Sequence, residues 1–324
     1  MDAVVVLPDE AHSLEVQAVA DPIPLAQQVV IEVAAAGVNR ADLLQRQGHY
    51  PPPTGASEVL GLECSGVIRE VGVGVTRWQV GDAVCALLDG GGYATRVAVH
   101  EDQVMPVPEG VDLITAAALP EVCCTVLSNV TMTAHLQACE SLLVHGGGSG
   151  VGSMAVQWGH ALGAKVLATV GSERKAAAAL SLGADAVINY TESDFVAQAR
   201  EATGEHGVDV ILDIIGAKYL DRNVQVLATN GRLVVIGLQG GIKAELNLAR
   251  LLAKRASIHA TSLRFRPVKE KGQICAEVVA RMWPLFAVGR LRPVVDQILP
   301  LREADTAQAA LNDGGVFGKI LLEV

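Results

Sequence analysis

Residues suited to binding a phosphate gather between positions 145 and 155. An apolar run over 142–145 passes into a glycine-dense turn, and from Val151 the apolar residues recur at helical spacing. Within the turn Gly150, Gly152 and Ala155 fit the G-x-G-x-x-G/A pattern of dinucleotide-binding turns. A tight strand-to-helix reversal needs residues without a Cβ, and such residues let the backbone approach a pyrophosphate closely. The unpaired N–H groups of the helix's first turn, at the positive end of its dipole, would then bind that anion. An ordinary glycine-rich turn is the alternative, and the strand and helix on either side favour the nucleotide site.

Which nucleotide is decided at the tip of the next strand. In Ala168-Thr-Val-Gly-Ser-Glu-Arg-Lys175 that tip is Gly171-Ser172, where NAD-selective sheets carry an acidic residue for the ribose. Arg174 and Lys175 follow, so a 2′-phosphate would find room and cations there; a solvated helix face is their other reading. Glu173 is either a ribose ligand or, placed just after Ser172, a residue that favours a helix N-terminus, and the second reading is preferred. NADP(H) is the expected cofactor. One charge-assisted hydrogen bond contributes roughly 1.5–3 kcal/mol, or about 10- to 150-fold discrimination.

Stepping outward from these residues, the patterning divides the chain. The first hundred residues read as β-like runs at 3–7, 29–37, 64–71, 82–88 and 93–100, with a short helix over 40–46 and an irregular segment, 48–55. Beyond 106–120, strands at 142–145, 165–170, 184–190, 208–215, 232–237 and 258–263 alternate with helices at 151–163, 173–182, 192–203 and 217–229. Near-continuous Val/Ile/Leu/Ala runs in βαβ rhythm predict a doubly wound parallel sheet. A longer helix over 268–288 and strands at 294–299 and 318–322 form a tail too short to fold alone, which rejoins the first region.

Composition narrows the function. Half the residues are hydrophobic, 19% are charged and the formal net charge is −10, which excludes disorder and argues against a nucleic-acid or anionic-membrane role. The six cysteines lack C-x-x-C spacing and read as reduced, mostly buried thiols of a cytoplasmic protein. Acidic residues within the first twenty argue against a signal peptide, and no apolar run approaches membrane-spanning length.

Gly37-Val-Asn-Arg-Ala-Asp-Leu43, Gly61-Leu-Glu-Cys-Ser-Gly66, Val80-Gly-Asp-Ala-Val84 and the Gly150 turn together resemble the medium-chain dehydrogenase/reductase superfamily. The longer run from Asn39 to Ala56, with Tyr50-Pro-Pro-Pro inside it, is similar to the zinc-free quinone oxidoreductase branch, and the likeness continues to Gly318-Lys-Ile320. The resemblance implies an α/β protein: a GroES-like β-rich catalytic domain over 1–118 and 266–324, a Rossmann domain over 119–265, and a cofactor between them. It implies a homodimer joined through the Rossmann sheets. Carried over by residue, Ser149, Gly150, Val151 and Gly152 would hold the pyrophosphate of NADPH. Ser172, Lys175 and Tyr190 would take its 2′-phosphate. Gly237, Leu238, Ser262, Leu263 and Arg264 would lend backbone contacts along the ribose–nicotinamide half. Tyr50 and Asn39 would sit beside the nicotinamide and the substrate as the catalytic residues. Packed, purely structural rings are the alternatives for Tyr50 and Tyr190, and His145 reads as a packed core histidine.

Zinc relatives in this superfamily hold their metal with Cys, His and Cys. Here the first position holds Asn39 and the second Leu62, while Glu121, Cys123 and Cys124 stand near the third, so no metal is expected. Without a metal to polarise a ketone, an acceptor that is already electrophilic is the reasonable substrate. A quinone is the first expectation. An enal or enone, whose reduction leaves an enolate in need of a proton, is the second. A nucleotide-bound protein of low turnover is the third.

Overall fold

A nearly continuous apolar run, broken only by Glu32, makes the ten-residue strand Gln28–Gly37 the centre of an antiparallel sheet. The computed structural model describes residues 1–324, which divide into two units: Met1–Cys124 with Leu263–Val324, and Thr125–Ser262. In the first unit the strand order is Val295–Pro300, Lys319–Glu323, Gln28–Gly37, Glu63–Val71, Ala83–Leu87 and Val104–Pro106, with Arg96–His100 also paired to Gln28–Gly37. The carboxy-terminal tail does return to this sheet: Leu321 lies opposite Gly37 and Leu322 opposite Ala36. Val29, Ile31 and Val33 pack with Ile68, Val84, Val97 and Val99 as its core. Where Gln28–Gly37 and Glu63–Val71 pair through two register shifts, a Cβ on Gly66 would lie 2.0 Å from the Glu32 carbonyl oxygen. Only glycine fits that crossing.

The second unit is a six-stranded parallel sheet in the order Ala186–Asn189, Lys165–Val170, Ser141–His145, Val208–Asp213, Leu227–Val235 and Ser257–Ala260. In chain order this is 3-2-1-4-5-6, the dinucleotide-binding arrangement. Its strands Ser141–His145, Lys165–Val170 and Val208–Asp213 are buried on both faces, as their apolar runs predict. The fold is therefore α/β with a GroES-like sheet and a Rossmann-like sheet.

Several elements differ from their expected bounds. The single helix over 268–288 is two, Val268–Arg281 and Trp283–Ala287, because Pro284 has no N–H to continue the first. The helix expected to reach residue 229 stops at Val226, and the strand Leu227–Val235 begins at once. Pro120–Val126, a π-helical turn at Leu127–Thr133, and the helices Leu248–Lys254 and Ala304–Asn312 arise where no element was expected. No helix is long and apolar enough to cross a membrane.

Candidate active and cofactor sites

The strand Ser141–His145 feeds the glycine turn, which opens into the helix Gly150–Ala161. Ser149 is its N-cap and accepts from the Gly152 N–H at 2.9 Å. Gly146 takes φ +71°, and a Cβ on Gly152 would sit 2.1 Å from the Gly146 carbonyl oxygen. Both glycines are required by the reversal itself. The first-turn N–H groups of Gly150 and Val151 have no partner within the chain, so the turn presents donors suited to a pyrophosphate.

Beneath the turn lies a buried polar chain. The Gly146 N–H donates to Thr169 Oγ1 at 3.3 Å, which lies 3.1 Å from His145 Nδ1. His145 Nε2 is 2.7 Å from Asn223 Oδ1, and Asn223 Nδ2 donates to Asp213 Oδ2 at 3.1 Å. Asp213 also accepts from the Ile215 and Gly216 N–H groups. With Asn223 presenting its oxygen, Nε2 carries the imidazole proton. Burial holds the His145 pKa down at about 4, so the ring is neutral. Phe195 and Tyr219 pack edge-on against it at 4.8 and 4.9 Å, as befits the core histidine expected here.

At the tip of Lys165–Val170, Ser172 caps the helix Glu173–Ser181 and Glu173 is an exposed residue of its first turn. Tyr190 leans over Gly171, whose Cβ, if present, would meet the Tyr190 hydroxyl at 2.4 Å. The structure thus brings Gly171, Ser172 and Tyr190 together, with Lys175 one turn into the same helix. Gly237 and Leu238 follow Leu227–Val235 in an irregular segment, and Leu238 is exposed. The run Ser262-Leu-Arg264 is split: Ser262 belongs to the parallel-sheet unit and Leu263 and Arg264 to the other.

In the antiparallel unit, Asn39 is the N-cap of the helix Arg40–Arg46, and its backbone N–H donates to Asp42 Oδ2 at 2.8 Å. Both ends of its amide are engaged: Nδ2 donates to Glu63 Oε1 at 2.9 Å, and Oδ1 accepts from Lys319 Nζ at 2.7 Å. Lys319 Nζ also lies 2.6 Å from Glu63 Oε1 and donates to the Val38 carbonyl at 2.9 Å. Glu63 is wholly buried, and its second oxygen accepts from the Glu121 N–H at 2.8 Å. Glu121 is half-buried. Beside this cluster Tyr93 donates to Asp42 Oδ2 at 2.9 Å, and burial raises the Asp42 carboxyl to about 6. Tyr50 stands edge-on to Phe265 at 5.2 Å, with the Arg264 guanidinium 5.4 Å from its ring. Arg264 donates to the Asp89 and Tyr50 carbonyls and to Gln45 Oε1, which fixes the Tyr50 segment. A cavity of about 390 Å³ is lined by Gln45, Gly48, Pro51, Pro52 and Val59 among others. Glu63 and Lys319 figured in the sequence only as parts of motifs, and nothing local to either announces their pairing.

The profile of the alcohol dehydrogenase GroES-like domain matches residues 25–109, and that of the zinc-binding dehydrogenases residues 150–276. Quinone oxidoreductase of Rattus norvegicus is 34% identical over 303 residues, 93% of this chain and 90% of that protein. The chain belongs to the medium-chain dehydrogenase/reductase superfamily. Within it, the chain falls in the quinone oxidoreductase branch. The structure of Escherichia coli quinone oxidoreductase complexed with NADPH superposes with a TM-score of 0.88 at 29% identity, covering 100% of this chain and 99% of that one. A mycobacterial protein complexed with NADPH gives 0.89 at 27% identity, with both chains fully covered.

The zinc of the profile's name can be tested against the residues present. Leu62 has no lone pair to give, and Asn39 and Glu63 already hold the Lys319 ammonium. Cys123 and Cys124 are buried thiols whose ionisation burial pushes up. No group of three or more His, Cys, Asp or Glu is arranged to hold a metal. These residues do not fit a zinc ion. The glycine turn, with its free first-turn donors, does fit a dinucleotide.

Proposed function

We propose that this chain is an NADPH-dependent quinone oxidoreductase that works without zinc. The observation that carries the reading is the Lys319 ammonium held by Glu63 and Asn39, at a place the resemblance gives to a metal. NADPH, when bound, supplies a hydride from its nicotinamide C4. The first-turn N–H groups after Ser149, with Val151 and Gly152, hold its pyrophosphate. Ser172, Lys175 and Tyr190 hold the 2′-phosphate, and the backbone of Gly237, Leu238, Ser262, Leu263 and Arg264 lies along the ribose–nicotinamide half. Tyr50 touches the acceptor. Asn39, its amide fully engaged, acts by fixing Glu63 and Lys319. Positioning and exclusion of water supply most of the rate, because a quinone is electrophilic already.

Calorimetric titration of the chain with NADPH and NADH tests the cofactor assignment. NADPH should bind at least about tenfold tighter, and Lys175→Met should remove most of that margin. Equal or tighter binding of NADH would make Glu173 a ribose ligand. A panel of quinones tests the substrate. Tyr50, its ring 5.4 Å from the Arg264 guanidinium, supports one other reading, reduction of an enal or enone, in which its hydroxyl gives the enolate a proton; loss of enal turnover with quinone turnover intact in Tyr50→Phe would support it.

The proposal extends to a cytoplasmic homodimer. Five of the six free cysteines are buried, as suits a reducing compartment. The edge strand Ser257–Ala260 has one partner, and Leu248, Leu252 and Ile242 near it are 67%, 79% and 75% exposed. Leu252→Lys should shift the sedimenting species from dimer to monomer.

A further inference from the structure

Among the polar groups around Lys319, one is left over. Glu63 accepts from Lys319, Asn39 Nδ2 and the Glu121 N–H. Lys319 meets Glu63, Asn39 Oδ1 and the Val38 carbonyl, which uses its three N–H donors. The other nearby cation, Arg264, is taken by the Asp89 and Tyr50 carbonyls and by Gln45. The Glu121 carboxyl accepts no hydrogen bond and pairs with no cation.

The groups facing it come from four elements. Glu63 on strand Glu63–Val71 and Asp42 on helix Arg40–Arg46 favour its proton; Lys319 on strand Lys319–Glu323 and Arg264 after Ser262 oppose it. Burial is the largest influence and acts with the two carboxylates against the two cations, so the carboxyl is pushed up to about 8. The Arg264 guanidinium lies 5.4 Å from the Tyr50 ring, and its charge also acts on Glu121, whose backbone N–H is fixed 2.8 Å from Glu63 Oε2.

We propose that Glu121 is a catalytic residue of this chain, the acid that protonates the oxyanion left when the acceptor is reduced. The inference rests on the reductase reading above. Hydride from the reduced nicotinamide leaves an electron pair on the acceptor's oxygen. That pair takes the Glu121 carboxyl proton: one O–H bond forms, the carboxyl O–H breaks, and its bonding pair stays on the carboxylate. Water returns the proton. An acid whose pKa lies near the working pH does this best, with a contribution of about 10²- to 10⁴-fold.

The test is the pH profile of NADPH–quinone turnover for wild type, Glu121→Gln and Glu121→Asp. The wild-type kcat should fall about tenfold per pH unit above about pH 8, as loss of a single required proton dictates. Glu121→Gln should lose that limb and about 10² in kcat with KM little changed, while Glu121→Asp should keep a limb. A merely structural Glu121 would lower kcat at every pH and leave the limb in place; that result overturns the proposal. Infrared spectra of the cofactor-free wild type provide a second readout, a protonated-carboxyl band at neutral pH that is absent from Glu121→Gln. Should that variant not fold, a missing wild-type band overturns the proposal by itself. A wild-type chain inactive on every quinone and enone overturns the reductase reading and the acid role together. An active wild type whose limb survives in Glu121→Gln overturns the acid role alone.

Discussion

In the parallel-sheet unit Thr169, His145, Asn223 and Asp213 form a buried chain in which each donor meets an acceptor. In the antiparallel unit four buried atoms, Asp42 Oδ1, Ser65 Oγ, Arg96 Nε and Gln308 Nε2, meet none, and the half-buried Glu121 carboxyl is unpaired as well. Unpaired buried polar atoms are rare because each forfeits its hydration. The difference separates two uses of polarity. Under the glycine turn a closed network props the backbone of the proposed phosphate site. Around Lys319 a nearly closed network leaves one carboxyl, the proposed acid, without a partner.

The largest effect should come from opening what is closed in the antiparallel unit. Lys319→Met strands Glu63 as a buried, uncompensated carboxylate and should cost about 3–5 kcal/mol in denaturant unfolding. Adding Glu63→Gln should recover most of it; if it does not, the pair is not the unit of stability.

The closed network of the parallel-sheet unit should show in acid. The pKa of folded His145, about 4, lies below its ordinary 6.5, so the unfolded chain takes up the proton first. Stability from this group is complete above pH 6.5 and is lost as the pH falls towards 4. Keeping the ring neutral is worth up to about 3 kcal/mol over that range. His145→Phe should flatten the unfolding free energy between those pH values; an unchanged slope would mean that the ring is not held neutral.

Glu121 should act with the opposite sign. Its folded pKa of about 8 is above the ordinary 4.5, so its contribution is present below pH 4.5 and lost as the pH rises through 8. Glu121→Gln should therefore gain on wild type in alkaline unfolding experiments. The smallest effect expected is at the helix cap: Ser149→Ala should cost about 1 kcal/mol and weaken NADPH binding, because the Gly152 N–H loses its acceptor.

The glycine turn, the helix Arg40–Arg46 and the strand Lys165–Val170 were legible residue by residue, since turn chemistry, capping and burial on both faces write themselves into local sequence. Tyr190 was joined to the tip of Lys165–Val170 only through the resemblance; in the structure its hydroxyl fills the space that a Cβ on Gly171 would need. Pro120–Val126 was not. Its seven residues follow an alanine-rich run with no polar start signal, so no local pattern marked the helix that sets the Glu121 N–H on Glu63; only the resemblance pointed to that neighbourhood.

By itself the sequence determined the alternation of strands and helices, the dinucleotide turn and the loss of Cys and His donors at Asn39 and Leu62. Those depend on periodicity, glycine and donor chemistry, which are properties of neighbours along the chain. Only the tertiary structure decided that Lys319, on the last strand, would neutralise Glu63 and join Asn39 while leaving Glu121 without a partner. The return of Lys319–Glu323 to pair with Gln28–Gly37 sets that charge balance, and burial then sets the proton affinity. Electrostatics in a desolvated interior depends on distance in space, to which spacing in sequence gives no guide.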